Sequence, residues 1–349
     1  MVADLFVSSC LRVKRLGAIA LLIALASCAD RAPAPEEAPR ANIVADWPTV
    51  PEDAAFGAPS GVAVDGEGRI FVLHRAGREW GEVLPSADDV IEEPTVFVFA
   101  RNGRLLDEWG AGQFVMPHGI SIDAENRVWI TDVVREQVFR FSPGGTLELV
   151  LGERGVSGSD AMHFGKPSDI AFDGDRVLIS DGYDNARIAV FDRRGDFIEE
   201  YGSAGNGPGE FDLPHAVAVD EDFIYVADRE NARVQVLDKD TGAFVGTRGQ
   251  KATGHPYGLA AMGGGWLAVV EGRDRADRSG AILRIYDPEG GLYRAYDAGL
   301  PGNGSLGHDL ALGTGGALYM TDVYGDRVIR IDISRMRDGE EAAESANGN

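Results

Sequence analysis

Apolar residues in this chain come in short runs of four to six, alternating or β-branched, each closed by a turn rich in Gly and Asp. Helical periodicity is nearly absent after residue 28. Period-two runs punctuated in this way predict strands. One segment sets the frame: Pro117-His118-Gly119-Ile120-Ser121-Ile122-Asp123, a polar turn, Arg127-Val128-Trp129-Ile130-Thr131-Asp132, then Gln137-Val138-Phe139-Arg140-Phe141 and a Pro-Gly-Gly turn. The frame recurs from Pro59, Pro167 and Pro214, and more weakly from Pro256 and Gly307, at spacings of 58, 50, 47, 42 and 51 residues. Repeats of about 40–50 residues, each a small antiparallel sheet, match a β-propeller, whose blades bury their faces only when stacked into a ring. The fold expected is all-β, one six-bladed propeller over residues 41–335. Its last unit ends near Ser334 with three strands, so Ala41–Trp47 (ANIVADW) is expected to supply the fourth and seal the ring.

Composition narrows the class. Hydrophobic residues are 44% of the 349, enough for a core. The net charge of −23 is spread along the chain, which argues against binding nucleic acid. Two cysteines exclude a disulfide scaffold and a cysteine-based zinc site. Residues 1–27 read as a signal peptide: Arg12, Lys14 and Arg15 precede an apolar run from Leu16 to Ala26, shorter than a bilayer span. The run ends in Leu25-Ala26-Ser27-Cys28, which resembles the cleavage box of bacterial lipoproteins and makes Cys28 the expected lipidation site. The expectation is a monomer held to the membrane by its lipid in a bacterial cell envelope, periplasmic or surface-exposed. Residues 28–40, rich in Pro and Ala, read as a tether, and 336–349 as a disordered acidic tail.

Aligning the six frames puts Ser60, His118, Ser168, His215, Tyr257 and His308 in one register, with histidine on blades two, four and six. The first strand of each propeller blade lines the central channel, so these imidazoles would converge from directions about 120° apart. Three neutral nitrogens with a vacant fourth position match catalytic zinc. Ligand type alone leaves copper and iron open. His74, His163 and His255 fall off this register and read as ordinary packing or surface residues. A second register follows the second strand. Its recurrent Asp132, Asp181, Asp228 and Asp322 read as anchors for turn amides, whereas Arg75 and Arg229, on blades one and four, face across the ring near the channel mouth. Two guanidiniums there suit a carboxylate-bearing substrate. Tyr183, one residue further on, lies within reach of the same space. The longest insertion, Ala76–Pro94, is placed to cover the mouth.

The runs PHGISIDAENRVWITDVVREQVFRF, HFGKPSDIAF, ISDGYDNARI, PHAVAV and VADRENARVQ resemble peptidyl-α-hydroxyglycine α-amidating lyases, propellers of NHL-type repeats, from about Ile43 to Ile333. The resemblance implies a carbon–nitrogen lyase that cleaves a peptidyl-α-hydroxyglycine to a primary amide and glyoxylate. It puts the zinc ligands at His118, His215 and His308, the catalytic tyrosine at Tyr183 and two active-site arginines at Arg75 and Arg229. Arg75 is expected to favour the tyrosinate, and Arg229 to help hold the substrate carboxylate or to stabilise charge around the reacting centre. A structural calcium is implied at the backbone oxygens of Val62 and Ile120 and the carboxylate of Asp309. The disulfide cysteines of the animal enzymes have no counterpart; Gly165, Asp184 and Tyr225 stand at three of those places. Leu306-Gly307 replaces the usual Met-Pro before the third histidine. The residues leave open the same chemistry on a small carbinolamide such as ureidoglycolate. They also leave open a non-catalytic anchored propeller that binds a protein or carbohydrate.

Overall fold

The computed structural model describes residues 41–44, 47–249, 254–272, 280–299 and 304–333. The expected signal peptide, Cys28, tether and acidic tail lie outside the described residues, as do residues 45–46 of the expected closing strand.

Six antiparallel sheets follow one another along the chain. Their innermost strands are Pro59–Val64, Pro117–Ile122, Pro167–Asp173, Pro214–Val219, His255–Ala261 and Gly307–Gly313. The first five sheets have four strands each in simple up-and-down order, and the sixth has three. The chain's beginning completes the sixth: Ile43 bridges antiparallel to Ile331. Val44 N–H donates to Arg330 O at 2.8 Å, and Asp332 N–H to Asn42 O at 3.1 Å. This supports the expected pairing of the two chain ends.

Burial follows the apolar pattern. The second strand of blade one, Ile70–His74, is buried throughout, whereas its fourth, Leu105–Trp109, exposes its middle to solvent. Six apolar clusters occupy the six junctions between neighbouring blades. Phe71 and Leu73 meet Ile120 and Ile130 between blades one and two. Val62, Ile70 and Val72 meet Ala317, Tyr319 and Val328 between one and six. Each buried Val, Leu, Ile or Phe contributes about 1.5–3 kcal/mol relative to exposure, so closing the last junction removes what would otherwise be two wet sheet faces.

The recurrent aspartates do what their repetition suggested. Asp132 accepts hydrogen bonds from the amides of Val115, Met116, Val134 and Arg135. Asp228 holds the amide of Asp212, and Asp322 that of Leu306. Each carboxylate thus fixes the segment that leads into one channel histidine: Met116 into His118, Asp212 into His215, Leu306 into His308. In blade five Glu271 takes the place of the aspartate and pairs with buried Arg284 at 2.8 Å.

Candidate active site

The three register histidines come together in the channel. Their ring centroids are 4.7, 4.9 and 4.9 Å apart, and one ligand nitrogen from each lies within 4.8 Å of the others. Each Nδ1 is committed to the main chain of the next blade. That of His118 lies 2.8 Å from Ser168 O, that of His215 2.7 Å from Tyr257 O, and that of His308 2.7 Å from Ser60 O. A carbonyl only accepts, so each Nδ1 carries the proton and each Nε2 keeps its lone pair for the channel. Burial, the largest cause for all three, pulls His118 and His215 well below the ordinary imidazole range and His308 to about 3. The rings are therefore neutral at physiological pH.

These residues fit a metal ion. The Nε2 of His215 is buried without a hydrogen-bond partner, a costly state in an apoprotein that a cation would relieve. A cavity of about 10 Å³, close to the space one water needs, lies among the three rings. Outer partners that orient ligand imidazoles in this way are typical of metal centres.

Above the histidines opens a cavity of about 630 Å³, lined by Arg75, Trp80, Tyr183, Arg229, Tyr257 and His308 among others. The four side chains expected to act with His118 and His215, namely Arg75, Tyr183, Arg229 and His308, therefore share one space. Tyr183 follows Gly182, where a Cβ would come within 2.1 Å of Pro214 O, so the chain turns there only without a side chain. The Tyr183 hydroxyl lies 3.1 Å from His118 Nε2 and 3.4 Å from Arg229 Nη1.

The two guanidiniums have different surroundings. Arg229 lies against the phenol: its centre is 5.4 Å from the Tyr183 ring and 5.0 Å from that of Tyr257, and Glu230 pairs with it at 2.8 Å. Arg75 donates Nε–H to Pro117 O at 3.0 Å, while its Nη2 is buried without a partner. Burial pulls Arg75 down to about 10. Burial also raises the Tyr183 hydroxyl and outweighs Arg229 and then Arg75, both of which lower it. Burial thus favours the neutral phenol, and Arg229 rather than Arg75 makes the larger opposing contribution and the hydrogen-bond contact.

Below the rings, Val62, Ile120 and Asp309 line a second channel cavity of about 240 Å³. Asp309 accepts the amide of Val62 at 2.8 Å. Asp169, which sequence reasoning passed over, shares this cavity. The signal was available: the position after the histidine register reads Gly61, Gly119, Asp169, Ala216, Gly258, Asp309, with carboxylates on opposite blades three and six. Trp80 was also passed over; it sits in the long insertion, where no repeat exposes it. That insertion is a fixed wall of the cavity. Arg78 braces it internally at Asp89 O and ties it to Val115 O, and Trp80, Leu84 and Val90 pack on Val115, Met116, Val133 and Val134. His74 lies buried among Phe56 and Phe97, and His163 sits on the surface beside Asp160, both as expected.

Comparison with known proteins agrees with this architecture. A family model described as a 6-bladed beta-propeller (DUF5128) matches residues 157–252. A probable peptidyl-alpha-hydroxyglycine alpha-amidating lyase of Caenorhabditis elegans is 33% identical over 299 residues, covering 80% of this chain and 83% of the relative. Peptidyl-glycine alpha-amidating monooxygenase B of Xenopus laevis is 31% identical over 315 residues, covering 83% of this chain; the match spans only 35% of that longer protein. A gluconolactonase from Xanthomonas campestris superposes with a TM-score of 0.57 at 15% identity, over 84% of this chain and 97% of its own, which speaks to the fold alone.

Proposed function

The chain belongs to the peptidyl-α-hydroxyglycine α-amidating lyases, and we propose that it cleaves the N–C bond of a peptidyl- or N-acyl-α-hydroxyglycine, with zinc at His118, His215 and His308. The observation that carries this reading is the convergence of three histidine ligand nitrogens, each ring tied through Nδ1 to the main chain, beneath a cavity that also holds a phenol and two guanidiniums. The substrate R–CO–NH–CH(OH)–COO⁻ loses its hydroxyl proton as C=O forms, and the C–N pair leaves with the amide nitrogen. That nitrogen takes up a proton, giving R–CO–NH₂ and glyoxylate. No water or oxidant is consumed.

When bound, zinc supplies Lewis-acid polarisation of the substrate hydroxyl and a positive charge that favours ionisation of a neighbouring phenol. Tyr183 Oη is placed to take the hydroxyl proton and return one to the departing nitrogen. Arg229 lies against that oxygen and stabilises its charged form. Arg75 brings an unused, desolvated Nη2 donor, and a substrate carboxylate is the anion that would satisfy it. Calcium at Val62, Ile120 and Asp309 would fasten the inner strands of blades one, two and six just below the histidines.

The cavity supports an acylated substrate over ureidoglycolate. At about 630 Å³ it is in the range that encloses drug-sized ligands, far more than a nine-heavy-atom molecule fills. The decisive experiment incubates purified, zinc-loaded protein with a synthetic N-acyl-α-hydroxyglycine and with ureidoglycolate, assays glyoxylate, and repeats both with chelator. Release from the acylated substrate alone, lost on chelation, is the expected result. No release from either substrate sinks the proposal.

A further inference from the structure

We propose that Trp80 is a positioning residue of this site, holding the Tyr183 hydroxyl in line with the histidine nitrogens. The inference rests on the lyase reading above and extends it to a residue outside the repeat. The Trp80 indole is stacked on the Tyr183 ring with centroids 5.0 Å apart and planes inclined by 26°. It meets the His118 ring edge-on at 6.2 Å, and the Arg75 guanidinium lies 5.6 Å from its centroid. One side chain therefore touches a metal-site histidine, the phenol and the guanidinium with the free donor.

The Tyr183 ring also packs on the Val115, Met116, Val133 and Val134 cluster, meets His118 and His215 edge-on and faces Arg229. The Trp80 stack is the near-parallel contact among these, the one that fixes the plane of the ring. Its hydroxyl has only a 3.1 Å contact to His118 and a long 3.4 Å contact to Arg229, and Tyr183 follows a glycine at a strand end. A tyrosine has two rotatable bonds, and a small swing about either moves Oη by an ångström or more. Misplacement on that scale costs about 10²-fold in rate. Trp80 is itself held from behind, since its neighbours Leu84 and Val90 pack with it on Val115, Met116, Val133 and Val134. A guanidinium lying over an indole remains free to donate in its own plane, so the contact leaves the unused nitrogen of Arg75 available.

The test is a double-mutant cycle of Trp80→Ala and Tyr183→Phe in the zinc-loaded protein, with Trp80→Phe and Leu84→Ala as companions. Trp80→Ala is expected to lower kcat about 10²-fold. Zinc content and the affinity for a non-cleavable N-acylglycine should change far less, and Trp80→Phe, which can still stack, should restore most of the rate. In the Tyr183→Phe background, Trp80→Ala should cost almost nothing further, because the group it positions is gone. A full additional loss in that background overturns the proposal. So does an equal loss of rate in Leu84→Ala, which loosens the small core on which Trp80 and Tyr183 both pack but keeps the indole to stack on the phenol. Undiminished turnover in Tyr183→Phe alone removes the group being positioned and overturns the proposal with it, and that outcome is read before Trp80 is altered.

Discussion

Replacing Arg75 with methionine separates the needs of the reaction from those of the fold. The free protein gains little from this guanidinium. Burial pulls it from 12.5 to about 10, so at neutral pH it is charged in both folded and unfolded chains, and the folded state bears a penalty of about 3 kcal/mol. Against that stand one hydrogen bond to Pro117 O, worth about 1 kcal/mol, and the contact with the Trp80 ring, worth about 0.5–2 kcal/mol. Pro117 O is not orphaned by the change, because Ser60 Oγ also donates to it at 3.0 Å. Methionine fills most of the volume and removes a charge that pushes His308 and His118 further from protonation. Zinc-free Arg75→Met should therefore match wild type or exceed it by up to about 2 kcal/mol in denaturant titration. The reaction should suffer instead. Losing the charge-assisted hydrogen bonds to a substrate carboxylate, at about 1.5–3 kcal/mol each, lowers kcat/KM by roughly 10²-fold. Glyoxylate assays across substrate concentration read the second quantity. A variant that loses more than about 2 kcal/mol of stability, or that keeps its kcat/KM, refutes the assignment and makes Arg75 a structural cation.

Tyr183→Phe should cut turnover by about 10²–10⁴-fold, the usual contribution of a general acid–base group, while elemental analysis finds zinc unchanged. The buried histidines make the zinc-free fold acid-sensitive. Because His308 is held near 3 when folded, the unfolded chain, at about 6.5, binds protons first. Stability is therefore complete above about 6.5 and lost as pH falls toward 3, and at pH 5 His308 alone accounts for about 2 kcal/mol. Denaturant titrations of zinc-free His308→Gln at pH 7.5 and 5 should show a correspondingly shallower loss than wild type, and equal slopes would contradict this account. Deleting residues 41–44 removes the hydrogen bonds Val44→Arg330, Asp332→Asn42 and Ala41→Asp297. It should cost about 3 kcal/mol and expose the amides of Arg327–Asp332 to hydrogen exchange first.

The propeller was legible because its repeats leave marks that survive divergence. Even the frame from Pro256, where Tyr257 and Glu271 replace the histidine and aspartate, and the frame from Gly307, where the entry proline is lost, keep an alternating strand, and both form inner strands as expected. The closing contact was legible from arithmetic on strands: a sixth sheet with three needs a fourth, and ANIVADW was the apolar segment left over. The roles of the two arginines were not legible. Equivalent register positions say that Arg75 and Arg229 reach the mouth. They do not say that Glu230 and Tyr257 flank one, while the other meets Trp80 and keeps a nitrogen unused.

Ser60, Ser168 and Tyr257 occupy the histidine register on the odd blades, and by side chain they look like positions where a ligand was lost. The structure gives them a different part. Their carbonyls receive the three Nδ1 protons, so odd blades supply acceptors and even blades supply rings, and the six-fold ring becomes a three-fold site. A carbonyl has no residue identity, which is why no sequence pattern could announce it. What the sequence does show is the space the arrangement needs. A Cβ at Gly119 would stand 2.4 Å from Ser168 O, the very atom that orients His118, and one at Gly258 would stand 2.9 Å from His308 O. Strands brought this close hold each imidazole against its neighbour's main chain before any cation arrives. The geometry of the centre is therefore a property of how tightly the inner strands pack, and alanine at position 119 should disturb it while every ligand and every proposed catalytic side chain remains in place.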